Sequence, residues 1–346
     1  MGYKARLIDL PDGENFSPSE RRVAEIKEIL SFKVFPLGFP GSDRARWDEI
    51  KSSTVGQKLL GEAREAVAIV PKPVVTNALY LEAIKRDSQV EYLEIVRPQR
   101  KRMALLPLAQ CLNPGGEYLP IIEGDLQSIL QLKSWIHPLF DGDKKSYRGE
   151  IFFNDLSSLH YATILVFTDY LLGDWLCADT RKSIRYEVER RILSPFRECI
   201  ETGKKAYWWV TEKHNWNSVC LACVTTCALY LYKDLDERAW YVALAEKLIA
   251  YSEQGFSKSG FYLEGVNYWG YGFGHYVLLS EIVRAATDGK IDWLKKPLVE
   301  KMTQHGSRIE IQNGAYPSMA DCATEVVPMD WLVNWMNNRK DDSRKR

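Results

Sequence analysis

The chain has 346 residues, 46% of them hydrophobic and 27% charged, with 46 basic side chains set against 46 acidic ones. That length suits one large domain or two small ones, and a formal net charge of zero argues against a non-specific nucleic-acid binder. No uncharged apolar run reaches the ~18 residues of a membrane span. The opening residues, MGYKARLIDLPDGENF, lack the apolar stretch of a signal peptide, so the expected setting is the cytoplasm, or a chain whose export signal has been removed.

Residues 1–75 read as a segment of loops with one or two helices. Ser17-Pro18-Ser19-Glu20 marks a helix start that runs to about Leu30, and Phe35–Asp43, with two prolines and two glycines, must be loop. Ala63–Val70 is apolar and is broken by Pro71 and Pro73. From Thr76 the hydrophobic period turns helical. It predicts helices over 76–86, 99–112, 117–133, 155–176, 180–200, 217–233, 236–252, 273–287 and 291–305, separated by Gly, Pro and Asp breakers. Many paired helices on short links predict an all-α domain over 76–335, and a toroid of helical hairpins, a bundle and an open array fit the period equally well. A charged tail, 336–346, is expected to be disordered.

The longest breaks in the helical pattern, 203–216 and 255–272, are rich in rings and polar groups, and each leads into a helix. Loops of this kind at one rim of a scaffold are where function concentrates. The first break runs into Thr211–Cys227, TEKHNWNSVCLACVTTC, which carries polar residues to the edge of an apolar helix. Cys220, Cys223 and Cys227 have helical spacing and apolar neighbours, so they read as buried thiols; with seven cysteines in all, a complete disulfide framework is impossible. The five histidines, at 137, 160, 214, 275 and 305, are scattered, and no metal site or cofactor is expected. Gly270, Gly272 and Gly274 lack the preceding strand of a phosphate-binding loop.

HNWNSVC at 214–220, YLEGVNYWGYG at 262–272 and AYPSMADC at 315–322 occur in an order that resembles the heparinase II/III-like polysaccharide lyases, over about residues 90–335. The resemblance implies the (α/α) toroid, an acidic polysaccharide as substrate, and a β-sandwich domain that complete members carry beyond the toroid. It also implies that His214 and Tyr268 line one cleft. Two departures stand out: Lys213 precedes the histidine where members often have Asn, and Asn217 stands where heparinase-II-type members have Glu.

Such a lyase removes the C5 proton of a uronic acid and expels the oxygen on C4. The sugar carboxylate must be neutralised by hydrogen-bond donors, for which Asn217 and then Asn215 are the expected amides. Tyr268 is the expected base or acid, and His214 serves as base or activates Tyr268. Trp216, Trp269 and Tyr271 are candidate stacking rings. Glu264 and His160 complete the substrate-binding candidates. Two other readings fit the residues: a hydrolase using Glu264 and Asp321 as paired carboxylates, and a glycan-binding scaffold without turnover.

Overall fold

The computed structural model describes residues 7–32, 38–86, 89–320, 322 and 325–344. The all-α expectation holds: these residues are mostly helical and include a short antiparallel ladder, β1 (Leu7–Ile8) with β2 (Ala206–Tyr207). The first helices are α1 (Glu20–Lys27), α2 (Arg44–Ser52), α3 (Thr54–Ile69), α4 (Asn77–Arg86) and α5 (Gln89–Leu112). They are followed by α6 (Leu119–Leu130), α7 (Leu156–Leu172), α8 (Ala178–Val188), α9 (Ser194–Thr202), α10 (Asn215–Leu231) and α11 (Leu235–Glu253). The last are α12 (Gly265–Tyr268), α13 (Gly274–Ala286), α14 (Pro297–Met302), α15 (His305–Arg308) and α16 (Asp330–Arg344). Wide π-helical turns fill Glu189–Leu193 and Trp269–Phe273. No helix among the described residues is long and apolar enough to cross a membrane.

The chain forms two compact units, and the span 76–335 contributes to both. The first unit takes the described residues of Met1–Gly13 and Gly38–Tyr207. Here α2 and α3 pack on α5, α5 on α7, and α6 on α8, around fully buried side chains such as Leu106, Leu165 and Ile184. Two of its buried polar groupings are paired: Arg102 and Asp125 form a buried two-pronged ion pair, and the Tyr80 hydroxyl lies 2.9 Å from both Ser134 and Asp141. Asp155 caps α7 in a reciprocal arrangement with Ser158 and also accepts the His137 amide at 2.8 Å. Burial pushes the Asp155 carboxyl up to about 6 and the His137 imidazole down to about 4.

The second unit takes the described residues of Glu14–Leu37 and Trp208–Arg346. Ser19 caps α1, which packs on α11, and Arg22 grips Glu246 from there. Helix α10 is the core of this unit, packed on α11 and α13 and buried along nearly its whole length, as an all-round apolar helix must be. Cys220, Cys223 and Cys227 are buried in it as thiols and form no disulfide.

Two stretches differ from the expected pattern. The break expected over 255–272 closes as helix from Gly265 onward. The single helix expected over 291–305 is divided, because Pro297 has no N–H to donate and so begins α14 rather than continuing an earlier turn. Helix α16 occupies most of the expected charged tail, held by Leu332 and Met336 in the core and by Arg339, which pairs with Glu281 and Asp292.

Candidate functional site

The second unit joins the two motifs through one carboxylate. Glu264 accepts the backbone N–H of Asn215 at 2.8 Å, the Asn215 side-chain amide at 2.9 Å, and the Tyr262 hydroxyl. A negative charge on the first N–H of α10 also suits the positive end of that helix. Burial, followed by the Glu264 charge, drives the Tyr262 phenol far above its ordinary range, so Tyr262 acts only as a donor. Tyr268 lies near enough to Tyr262 to add to that shift.

Close backbone approach completes the junction. A Cβ on Gly272 would stand 2.8 Å from Asn215 Cβ, so only glycine lets the π-turn touch the start of α10, and Ser218 Oγ then reaches the Gly272 carbonyl at 2.8 Å. At Gly255 a Cβ would fall 1.9 Å from the Lys213 carbonyl oxygen, so the end of α11 lies directly against the residue before His214.

His214 is the N-cap of α10, and its Nδ1 accepts the Trp216 N–H at 3.3 Å. With Nδ1 accepting, the ring proton is on Nε2, which lies 3.5 Å from Glu212 Oε2. The ring is half-buried and sits 5.4 Å from the Trp208 ring, which in turn is 4.8 Å from the Trp216 ring. His214, Trp208 and Trp216 thus form a partly exposed aromatic face, with the Glu212 carboxylate beside it and the exposed Lys213 immediately before His214 in the chain.

Several expected contacts change. Asn217 is 0% exposed, and its amide donates to the carbonyls of Val210 at 2.8 Å and Trp209 at 3.4 Å, so it anchors the 208–211 turn and is closed to a ligand. Asn215 is buried too, with its amide spent on Glu264. Neither amide faces a sugar carboxylate. Trp269 is wholly buried, donates to the Met302 carbonyl at 3.0 Å and packs on Phe273, so it is a core ring rather than a stacking surface. Tyr271 is half-buried with its ring edge-on to His275. Glu264 faces three protein donors and organises the junction instead of presenting itself to a ligand. His160 lies on α7 of the first unit. Asp321 lies outside the described residues.

Sequence reasoning counted Trp208 and Tyr262 among the rings of the two breaks without giving either a role, and it missed Glu212. The only signal for Trp208 was the ring doublet Trp208-Trp209, and nothing in a doublet says which ring turns inward. Compared with known proteins, the chain matches no family model and no curated protein.

Proposed function

We propose that the chain is the (α/α) toroid of a polysaccharide lyase that cleaves a uronic-acid-containing glycan by β-elimination. The observation that carries this reading is the hydrogen-bonded junction Asn215–Glu264–Tyr262, which ties the His214 motif to the Tyr268 motif. Tyr268 takes the C5 proton and returns a proton to the departing C4 oxygen. His214 acts as a donor through Nε2–H, because its Nδ1 lone pair already caps α10. With both asparagine amides committed inside the protein, neutralising the sugar carboxylate falls to His214 Nε2–H and the exposed ammonium of Lys213. Trp208 and Trp216 offer ring faces for the sugar.

The experiment is incubation with heparan, chondroitin, hyaluronan, alginate and ulvan-type polymers while following the ultraviolet absorbance of the unsaturated product. Cleavage of at least one polymer, abolished in Tyr268→Phe and strongly reduced in His214→Ala, is the expected result. No product from any of them sinks the reading, and glycan binding without turnover would replace it with a binding scaffold.

A further inference from the structure

A cleft of about 510 Å³ opens in the second unit, between the end of α11 and the end of α14. Its lining includes Glu253, Gln254, Phe256, Leu298, Lys258 and Lys301. That volume is in the range of small-molecule sites.

The lining is built and charged. Glu253 Oε1 accepts the Tyr276 hydroxyl at 2.8 Å and the Lys296 ammonium at 2.6 Å, while its Oε2 has no hydrogen-bond partner among the described residues. Lys301 Nζ donates to the Lys258 carbonyl at 3.2 Å and keeps two further N–H donors. The Lys258 ammonium has no carboxylate partner among the described residues. Since Lys296 already balances Glu253, the two remaining lysines leave the cleft with an uncompensated positive charge. The loop that carries Lys258 is tightly closed: Ser257 N–H donates to the Phe261 carbonyl at 2.8 Å, and a Cβ on Gly260 would fall 2.4 Å from the Lys301 backbone. One wall is apolar, from Phe256 and Leu298.

We infer that this cleft binds a hydroxylated carboxylate of monosaccharide size. The carboxylate lies between the Lys258 and Lys301 ammonium groups, a hydroxyl donates to Glu253 Oε2, and a carbon face rests on Phe256 and Leu298. The contact of Gly255 with Lys213 sets this cleft beside the backbone that leads into His214. The inference stands on the cleft's own residues and does not depend on elimination chemistry.

The test is titration of the whole chain with glucuronate, with glucose as the uncharged control and acetate as the control without hydroxyls, followed by calorimetry or ligand-detected NMR. Glucuronate is expected to bind at least about tenfold more tightly than either control, the weight of one charge-assisted hydrogen bond. Lys258→Ala/Lys301→Ala, which changes only exposed side chains, is expected to weaken glucuronate by about tenfold or more with an unchanged circular dichroism spectrum. Glu253→Gln is expected to reduce the preference for glucuronate over acetate. Equal binding of glucuronate and glucose, or glucuronate binding unchanged in the double variant, would overturn the inference. Because Tyr268 is not part of the cleft, Tyr268→Phe should leave glucuronate affinity unchanged even where it removes turnover.

Discussion

His214 shows how one side chain's role follows from a neighbour. Because Nδ1 accepts the Trp216 N–H, nitrogen-resolved NMR should find the ring proton on Nε2 in the neutral form. The opposite tautomer would remove the donor role assigned to this ring. Asn217 leads to a prediction about stability rather than turnover. Its replacement by Ala strands the Val210 and Trp209 carbonyls in the core and should cost about 1–3 kcal/mol in urea denaturation. An intact stability in Asn217→Ala would contradict the anchoring role. The residues His214, Asn215, Glu264 and Tyr268 were legible as a group, because His, Asn, Glu and Tyr clustered at helix starts are chemically conspicuous. Their orientation was not legible. Asn215 and Asn217 are two residues apart, and only the fold shows that each turns its amide inward, one to Glu264 and the other to a neighbouring turn.

At the scale of elements, the junction depends on how closely α10 and the Trp269–Phe273 turn approach each other. Gly272→Ala puts a methyl group 2.8 Å from Asn215 Cβ and 3.0 Å from its Cα, and a backbone atom gives way less readily than the end of a flexible side chain. Overpacking of this kind should lower stability by about 1–3 kcal/mol, read as a drop in melting temperature, and should reduce turnover more than Lys301→Ala does. Helix positions were well marked in the sequence because apolar period and breakers are local properties. The helical closure of 265–273 was hidden, since a stretch carrying Gly265, Gly270 and Gly272 looks like loop when no packing partner is in view.

For the whole molecule, buried imidazoles contribute to the response to acid. His137 in the first unit and His305 in the second both have an Nε2 without a partner, and burial holds each near 4. An unfolded histidine protonates near 6.5. Between about pH 6.5 and 4 the unfolded chain therefore binds protons that the folded chain refuses. Stability should fall across that window, by up to about 1.36 kcal/mol per pH unit for each ring, and be flat above it with respect to these groups. Asp155, raised to about 6, acts in the opposite direction below that pH, as do Asp125 and Asp141, whose carboxyls burial also raises. His305→Phe, with its ring between Phe261 and Trp269, should flatten the acid slope in a melting-temperature series. An unchanged slope would mean that the ring is protonated in the folded state. The division of the chain between two units was not legible in the sequence, because α1 joins the second unit across more than a hundred intervening residues. Periodicity records which face of a helix is apolar but not which partner covers it.

The π-turn at Trp269–Phe273 has a consequence for counting residues. It holds one residue more than an α-helical path needs, so it works as a single-residue insertion that shifts the phase of everything before it relative to α13. Deleting one residue there would restore an ordinary helix and turn Tyr268, together with Glu264, by about 100° around the axis relative to α13. A homologue that lacks this extra residue could keep every letter of the EGVNY signature and still aim its tyrosine elsewhere. The length of this short stretch is therefore as informative about chemistry as the tyrosine itself.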